Sequence, residues 1–287
     1  MAGRTNRKFY KYTLQAHAAP GSYDDIFSSL RRVERQNRLA ELGDRRIFVS
    51  DVTRNELGVV VRFLSIQPET DFTTFDETDF STSEETLPGN KRFAVASHAY
   101  FVFGTRRLIF EYVRSGPKAE EALAAVQVIL RSQADGYRQF RLSATPVVEE
   151  RFVRDIDRFE RIRVVKIDVA EPNASWTDWD DPLHELGEES GAGRVTLEAT
   201  AARGEGLNRR NGIVQVLKQA LRAPNSHLKR AVVEGKMPDE AGARTIRTDR
   251  MHEFDTRTVS VDSGGSADVL SVSAAFQGLA EDEAKNV

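Results

Sequence analysis

Phe93–Arg131, FAVASHAYFVFGTRRLIFEYVRSGPKAEEALAAVQVILR, decides how the chain is read. Phe93–Phe103 is apolar on both faces, broken only by Ser97 and His98, and rich in aromatic and β-branched residues. That composition suits a strand buried on both sides. Gly104–Arg107 turns the chain into Leu108–Val113, a second strand at hairpin distance. Ser115-Gly116-Pro117 ends it and opens a helix with proline at the first helical position, where no hydrogen bond is lost. Ala122, Leu123, Val126, Ile129 and Leu130 recur at three- and four-residue spacing, one apolar helix face. The stretch predicts a central hairpin with a helix laid across it.

Outward from this unit, Phe9–Ala16 alternates as a strand after a mobile basic tail. Ser22 and Asp25 mark the start of a helix running to Asn37, and Arg46–Val52 with Gly58–Ile66 form a hairpin. Ser132–Tyr137 reads as a link between two domains, residues 1–136 and 137–287. In the second, Gln139–Val148, Arg161–Val169, Arg194–Arg203, Leu228–Val233, Ala243–Thr248 and Thr256–Val261 read as strands, and Glu149–Phe159 and Arg209–Arg222 as helices. From Ser263 the chain is Gly/Ser-rich and then acidic, with Val269, Leu270, Val272 and Phe276 available to pack. The expected class is α+β, with mixed, mostly antiparallel sheets and packed helices in two domains.

The 287 residues suffice for a real core. No cysteine is present, which excludes disulfides, zinc–thiolate sites, iron–sulfur clusters and cysteine nucleophiles. No run approaches the roughly 18 apolar residues of a membrane helix, and the basic start leads into no apolar signal core. A cytoplasmic protein is expected. The net charge of −3 hides a segregation. Gln67–Asn90 carries seven acidic residues, no basic one, and Phe72, Phe75 and Phe80. It reads as a docking segment, a nucleic-acid mimic or a solvated loop pinned by its phenylalanines. A second acidic stretch, Glu171–Glu189, contains Trp176 and Trp179. Arg203–Arg257 instead holds twelve basic residues against seven acidic ones.

A search for catalytic chemistry yields little. His17, His98, His184, His227 and His252 stand apart without ligand spacing, and His98 reads as a hydrogen-bonded core histidine. There is no phosphate-binding loop, dinucleotide fingerprint or nucleophile elbow, and Gly204-Glu205-Gly206 is only a fragment of a glycine-rich turn. Asp180, Asp181, Glu234 and Lys236 are the candidates for a metal-dependent nuclease. The basic region is the better lead: Arg209, Arg210, Lys218 and Arg222 flank one helix, and Lys229, Arg230, Lys236 and Arg244 lie on strands behind it. Gathered on one face, they would bind phosphate with arginine's bidentate fork. Scattered, they are a solvated charged surface. No catalytic residue, metal or cofactor is assigned.

YFVFGTRRLIFEYVRSGP (100–117) with its following helix, IRVVKIDVAEPN (162–173), the basic helix after VTLEATAAR (195–203), and KMPDEAG (236–242) after LKRAVVEG resemble, in this order, the RexA-like phage-exclusion proteins of lambda-type prophages. The N-terminal architecture is also similar to that of the DNA-binding component of the Kiwa antiphage system. The acidic phenylalanine loop and the tryptophan stretch depart from the pattern. The resemblance implies a homodimeric, two-domain protein that binds double-stranded DNA without sequence preference. It further implies a sensor role in prophage-encoded exclusion or abortive infection, a membrane-protein effector encoded nearby, and no small-molecule substrate. A protein-interaction module using residues 67–90 stands beside that reading.

Overall fold

The structure is a computed structural model and describes residues 3–69, 71–75, 82–170, 194–222, 228–238, 240, 242–262 and 267–285. The class is α+β with antiparallel pairing throughout the registers below. The chain packs as two compact units, Met1–Phe9 with Ala18–Ala144 and Asp255–Val287, and Tyr10–His17 with Thr145–Phe254. A single cut after residue 136 therefore does not reproduce the packing. Residues 137–144 and 255–287 go with the first unit, and 10–17 with the second.

In the first unit the expected hairpin is β7 (Ala94–Val102) and β8 (Arg107–Tyr112), paired Ala99↔Phe110 to Val102↔Arg107. It lies inside a larger sheet. β1 (Gly3–His17) flanks β8, and β4 (Gly58–Ile66), β3 (Arg45–Arg54) and β2 (Leu39–Leu42) follow β7. The outer neighbour of β1 is β14 (Phe254–Val261). Gly3–Lys8, expected in a mobile tail, are strand, and Arg7 lies 3.7 Å from the buried Glu111. Within the acidic insertion, β5 (Asp71–Phe75) pairs with β6 (Thr82–Thr86), a hairpin absent from the expected loop. Phe80 lies outside the described residues.

Helix α1 (Tyr23–Arg32) has the predicted start: the Ser22 side chain accepts from the Asp25 amide, and the Asp25 carboxylate accepts from the Ser22 amide. Hydrogen bonds from the Ser22 hydroxyl and amide hold the Asp25 carboxyl below its ordinary range. The helix stops at Arg32, short of Asn37, where a single 3₁₀ turn stands at Arg35–Asn37. Helix α2 (Ala119–Gln133) begins two residues after Pro117, with Glu121 accepting from the Lys118 amide. Its apolar face is buried as read, but against β2 and β3 rather than across the β7–β8 hairpin. The expected link is part of this unit, since Tyr137 is buried edge-on to Phe140 and donates to Ser29.

The end of the chain is a helix (Val269–Lys285), named α5 below; it lies over β7. Phe276 packs 5.2 Å from Phe9 and 5.6 Å from Tyr100, with Val272, Leu279 and Ala280 buried beside it. Burial raises the Tyr100 pKa above its ordinary value, although its hydroxyl donates to Asn55. Among the described residues no helix is long and apolar enough to cross a membrane.

β9 (Arg141–Pro146) pairs with β1 and runs past Ala144, where the first unit ends. The second unit then has α3 (Glu150–Arg158) and a sheet ordered β11 (Arg194–Thr200), β10 (Arg161–Ala170), β12 (Leu228–Lys236), β13 (Ala243–Arg247). Helix α4 (Ile213–Arg222) starts four residues later than expected, after Gly212 at φ +67°. Phe152, Ile156, Val214 and Leu217 from the helices join Ile162, Val165, Ala231, Val233 and Ile246 in one core. Strand alternation then sends Arg230, Val232 and Glu234 to the opposite face. Thr256–Val261, expected beside β12 and β13, instead belongs to β14 of the large sheet.

Candidate nucleic-acid interface

Helix α3 is the hub of the basic residues. Its apolar side, Phe152 and Ile156, enters the core, and Asp155 is carried inward with them to 2% exposure. A carboxylate so placed needs positive neighbours. Arg151 Nε, Arg158 Nη1 and Arg244 Nη2 stand 3.7, 3.6 and 3.9 Å from it. None is at hydrogen-bonding distance, and Asp155 Oδ2 accepts no hydrogen bond among the described residues. The arrangement is an ionic anchor for three guanidiniums. Arg151 and Arg158 remain 61% and 63% exposed, with Arg154 also exposed on their helix stripe.

The C-terminal end of α3 gathers a second group. Arg209 Nη1 donates to the carbonyls of Phe159 (2.7 Å) and Asp157 (3.2 Å), as suits a cation at the negative end of a helix. Lys218 pairs with the Asp157 carboxylate and donates to the Arg209 carbonyl at 3.3 Å. Just past the helix, Lys236 pairs with Glu160 at 3.1 Å, and Arg161 Nη1 donates to the Gly204 carbonyl at 3.0 Å.

Of the eight residues singled out for DNA, Arg209, Lys218, Lys236 and Arg244 are thus brought to α3 and its exit. All four are engaged there, Arg244 also with Glu240 at 2.7 Å. Arg210 and Arg222 are exposed, and their side chains make no hydrogen bond or ion pair among the described residues. Lys229 is half-buried at the irregularity in the β10–β12 pairing. Arg230 points to the other sheet face, 3.9 Å from Asp249, so the eight do not form a single surface. Arg151, Arg154, Arg158 and Arg161 were the residues missed. The signal was present in their three- and four-residue spacing.

The nuclease candidates gain no geometry. Asp180 and Asp181 lie outside the described residues, and Lys236 is held by Glu160. Among the described residues no three His, Asp or Glu side chains are grouped to hold a metal. Of the histidines, His98 Nδ1 lies 2.6 Å from Glu111 Oε2 in the buried core of the first unit, as a core histidine should.

A family model described as "Domain of unknown function (DUF4747)" matches residues 5–273. The chain belongs to this family. A comparison with curated proteins finds no match. The matched span takes in the second unit and most of the first, including α3 and every basic residue gathered on it.

Proposed function

We propose that the chain binds the phosphate backbone of double-stranded DNA without sequence preference, through the arginine surface on α3 and the loop before α4. The observation that carries this reading is the set Arg151, Arg158 and Arg244 around the buried Asp155, with Arg154 exposed beside them. Guanidiniums stay charged at any physiological pH and match phosphate oxygens in pairs. Fixing them in advance lowers the entropy lost on binding. None of the groups that read base edges is invoked, so contacts of this kind position the protein without specifying sequence.

The resemblance to RexA-like proteins supports the wider proposal. In it, the protein is a cytoplasmic, homodimeric sensor in phage exclusion or antiphage defence, coupled to a membrane-protein effector. The test is a gel shift of a plain duplex at low and high salt, with and without magnesium. Binding should weaken steeply with salt while the duplex stays intact, and Arg154→Glu with Arg210→Glu should weaken it further. Each lost phosphate contact flattens the logarithmic salt slope by about one. No shift at low salt would refute the reading, and loss of duplex only with magnesium would replace it with a nuclease.

A further inference from the structure

Beside the exit of α3, an open cavity of about 430 Å³ is lined by Glu160, Arg161, Ile162, Gly206, Leu207, Arg209 and Lys236. Three cations from three segments of the second unit line it beside one carboxylate, which pairs with Lys236. Each cation is tied down by a contact that leaves donors over. Arg161 and Arg209 each spend one terminal nitrogen on backbone carbonyls, and Lys236 spends one bond on Glu160. Gly206 and Leu207, which follow the Ala202–Glu205 turn, complete the lining and are pinned by the Leu207 amide donating to the Ile162 carbonyl at 2.8 Å. A Cβ on Gly206 would stand 2.6 Å from Arg161 Cγ, so only glycine lets the turn close on this arginine.

A backbone phosphodiester carries one charge, and both its ester oxygens are tied into the strand, so it lies along a surface. A phosphate monoester carries about −1.5 to −2 at neutral pH and has three free oxygens. It can enter a recess and meet several cations at once. We propose that this cavity is a phosphate-monoester site, with the 5′-terminal phosphate of a DNA strand as its ligand and a free nucleotide as the other source of the same group. For the strand end, the inference rests on the DNA-binding reading above.

The test compares blunt duplexes of one sequence with 5′-phosphate or 5′-hydroxyl ends by fluorescence anisotropy. In parallel, calorimetry titrates the protein with 2′-deoxyadenosine 5′-monophosphate or the bare nucleoside. The phosphorylated duplex should bind about tenfold tighter, the effect of one added charge-assisted contact. Lys236→Gln should erase the preference. Lys236 is about half exposed, which makes the variant foldable. Lys166→Gln, the same charge change at a residue paired to Glu198, should leave the preference intact. Binding of the monophosphate without a duplex preference assigns the site to free nucleotides. Equal duplex affinities with no monophosphate binding overturn the proposal and leave the DNA reading standing. If neither duplex binds, the DNA reading fails, and the monophosphate titration alone decides the cavity.

Discussion

The guanidinium of Arg209 closes the end of α3, donating to the Phe159 carbonyl at 2.7 Å. A residue that suggests phosphate contact by its place in a basic sequence is thus used to satisfy helix carbonyls left open at a C-terminus. Arg209→Ala should lower stability by about 1.5–3 kcal/mol, the range for hydrogen bonds that involve a charged group. Arg210→Ala, at an exposed neighbour whose side chain makes no hydrogen bond or ion pair among the described residues, should change it by no more than about 0.5 kcal/mol. Urea unfolding of the two variants checks this. Equal effects would show that the Arg209 contacts contribute nothing.

Asp155 gives a prediction whose sign runs against simple charge counting. Asp155→Asn removes a negative charge from a surface proposed to bind an anion. The same change also releases Arg151, Arg158 and Arg244 from their common centre. Breaking a buried pair costs about 3–5 kcal/mol, but these arginines are partly solvated and none is closer than 3.6 Å. A loss of about 1–3 kcal/mol is expected on that discount, together with weaker DNA retention. Tighter DNA binding by the folded variant would mean that net charge, not arginine placement, governs the interaction.

What was legible in the sequence follows from the range of each signal. The capping box at Ser22 and Asp25 and the apolar stripe of α2 are local patterns, and each is present. β10 is a strand as read, but a register shift between Ile162 and Val164 brings Ile162 into the same core as Val165, Ile167 and Val169. Strand partners are not local. Thr256–Val261 has the pattern of a strand, but nothing in it selects β1 as neighbour over β13. Val269, Val272, Phe276 and Leu279 already had helical spacing, which the Gly/Ser-rich residues before them obscured. In the candidate site, residue types were readable and pairings were not. Lys218 and Asp157 are 61 positions apart, so only the fold shows that this lysine is already engaged.

In the first unit the buried pair His98–Glu111 spans neighbouring strands at 2.6 Å, with side chains 0% and 1% exposed. Glu111→Ala would leave the imidazole donor buried without its acceptor and take the carboxylate from Arg7. The expected cost is about 3–5 kcal/mol, as for a broken buried pair. Glu111→Gln keeps an oxygen near Nδ1 and should cost less. A double-mutant cycle with His98→Ala should return a coupling of about 1–3 kcal/mol. Additive effects would show that the pair is two independently packed side chains.

His252 adds a pH-dependent contribution to the stability of the second unit. Its Nε2–H donates to the Lys11 carbonyl at 2.6 Å, and its ring lies 4.9 Å from that of Tyr10 and 4.5 Å from that of Tyr12. Burial lowers its pKa below the ordinary 6.5, with the Lys11 carbonyl and Glu253 opposing the shift more weakly. The folded chain therefore holds this histidine neutral where the unfolded chain would protonate it. Its contribution is complete above pH 6.5, declines as the pH falls through that value, and stops declining below the folded pKa. His252→Gln keeps a donor for Lys11 and removes the titration. Urea midpoints on either side of pH 6.5 should then fall less with acidification in His252→Gln than in the wild type. Identical slopes would mean that the imidazole feels its surroundings no more in the folded chain than in the unfolded one.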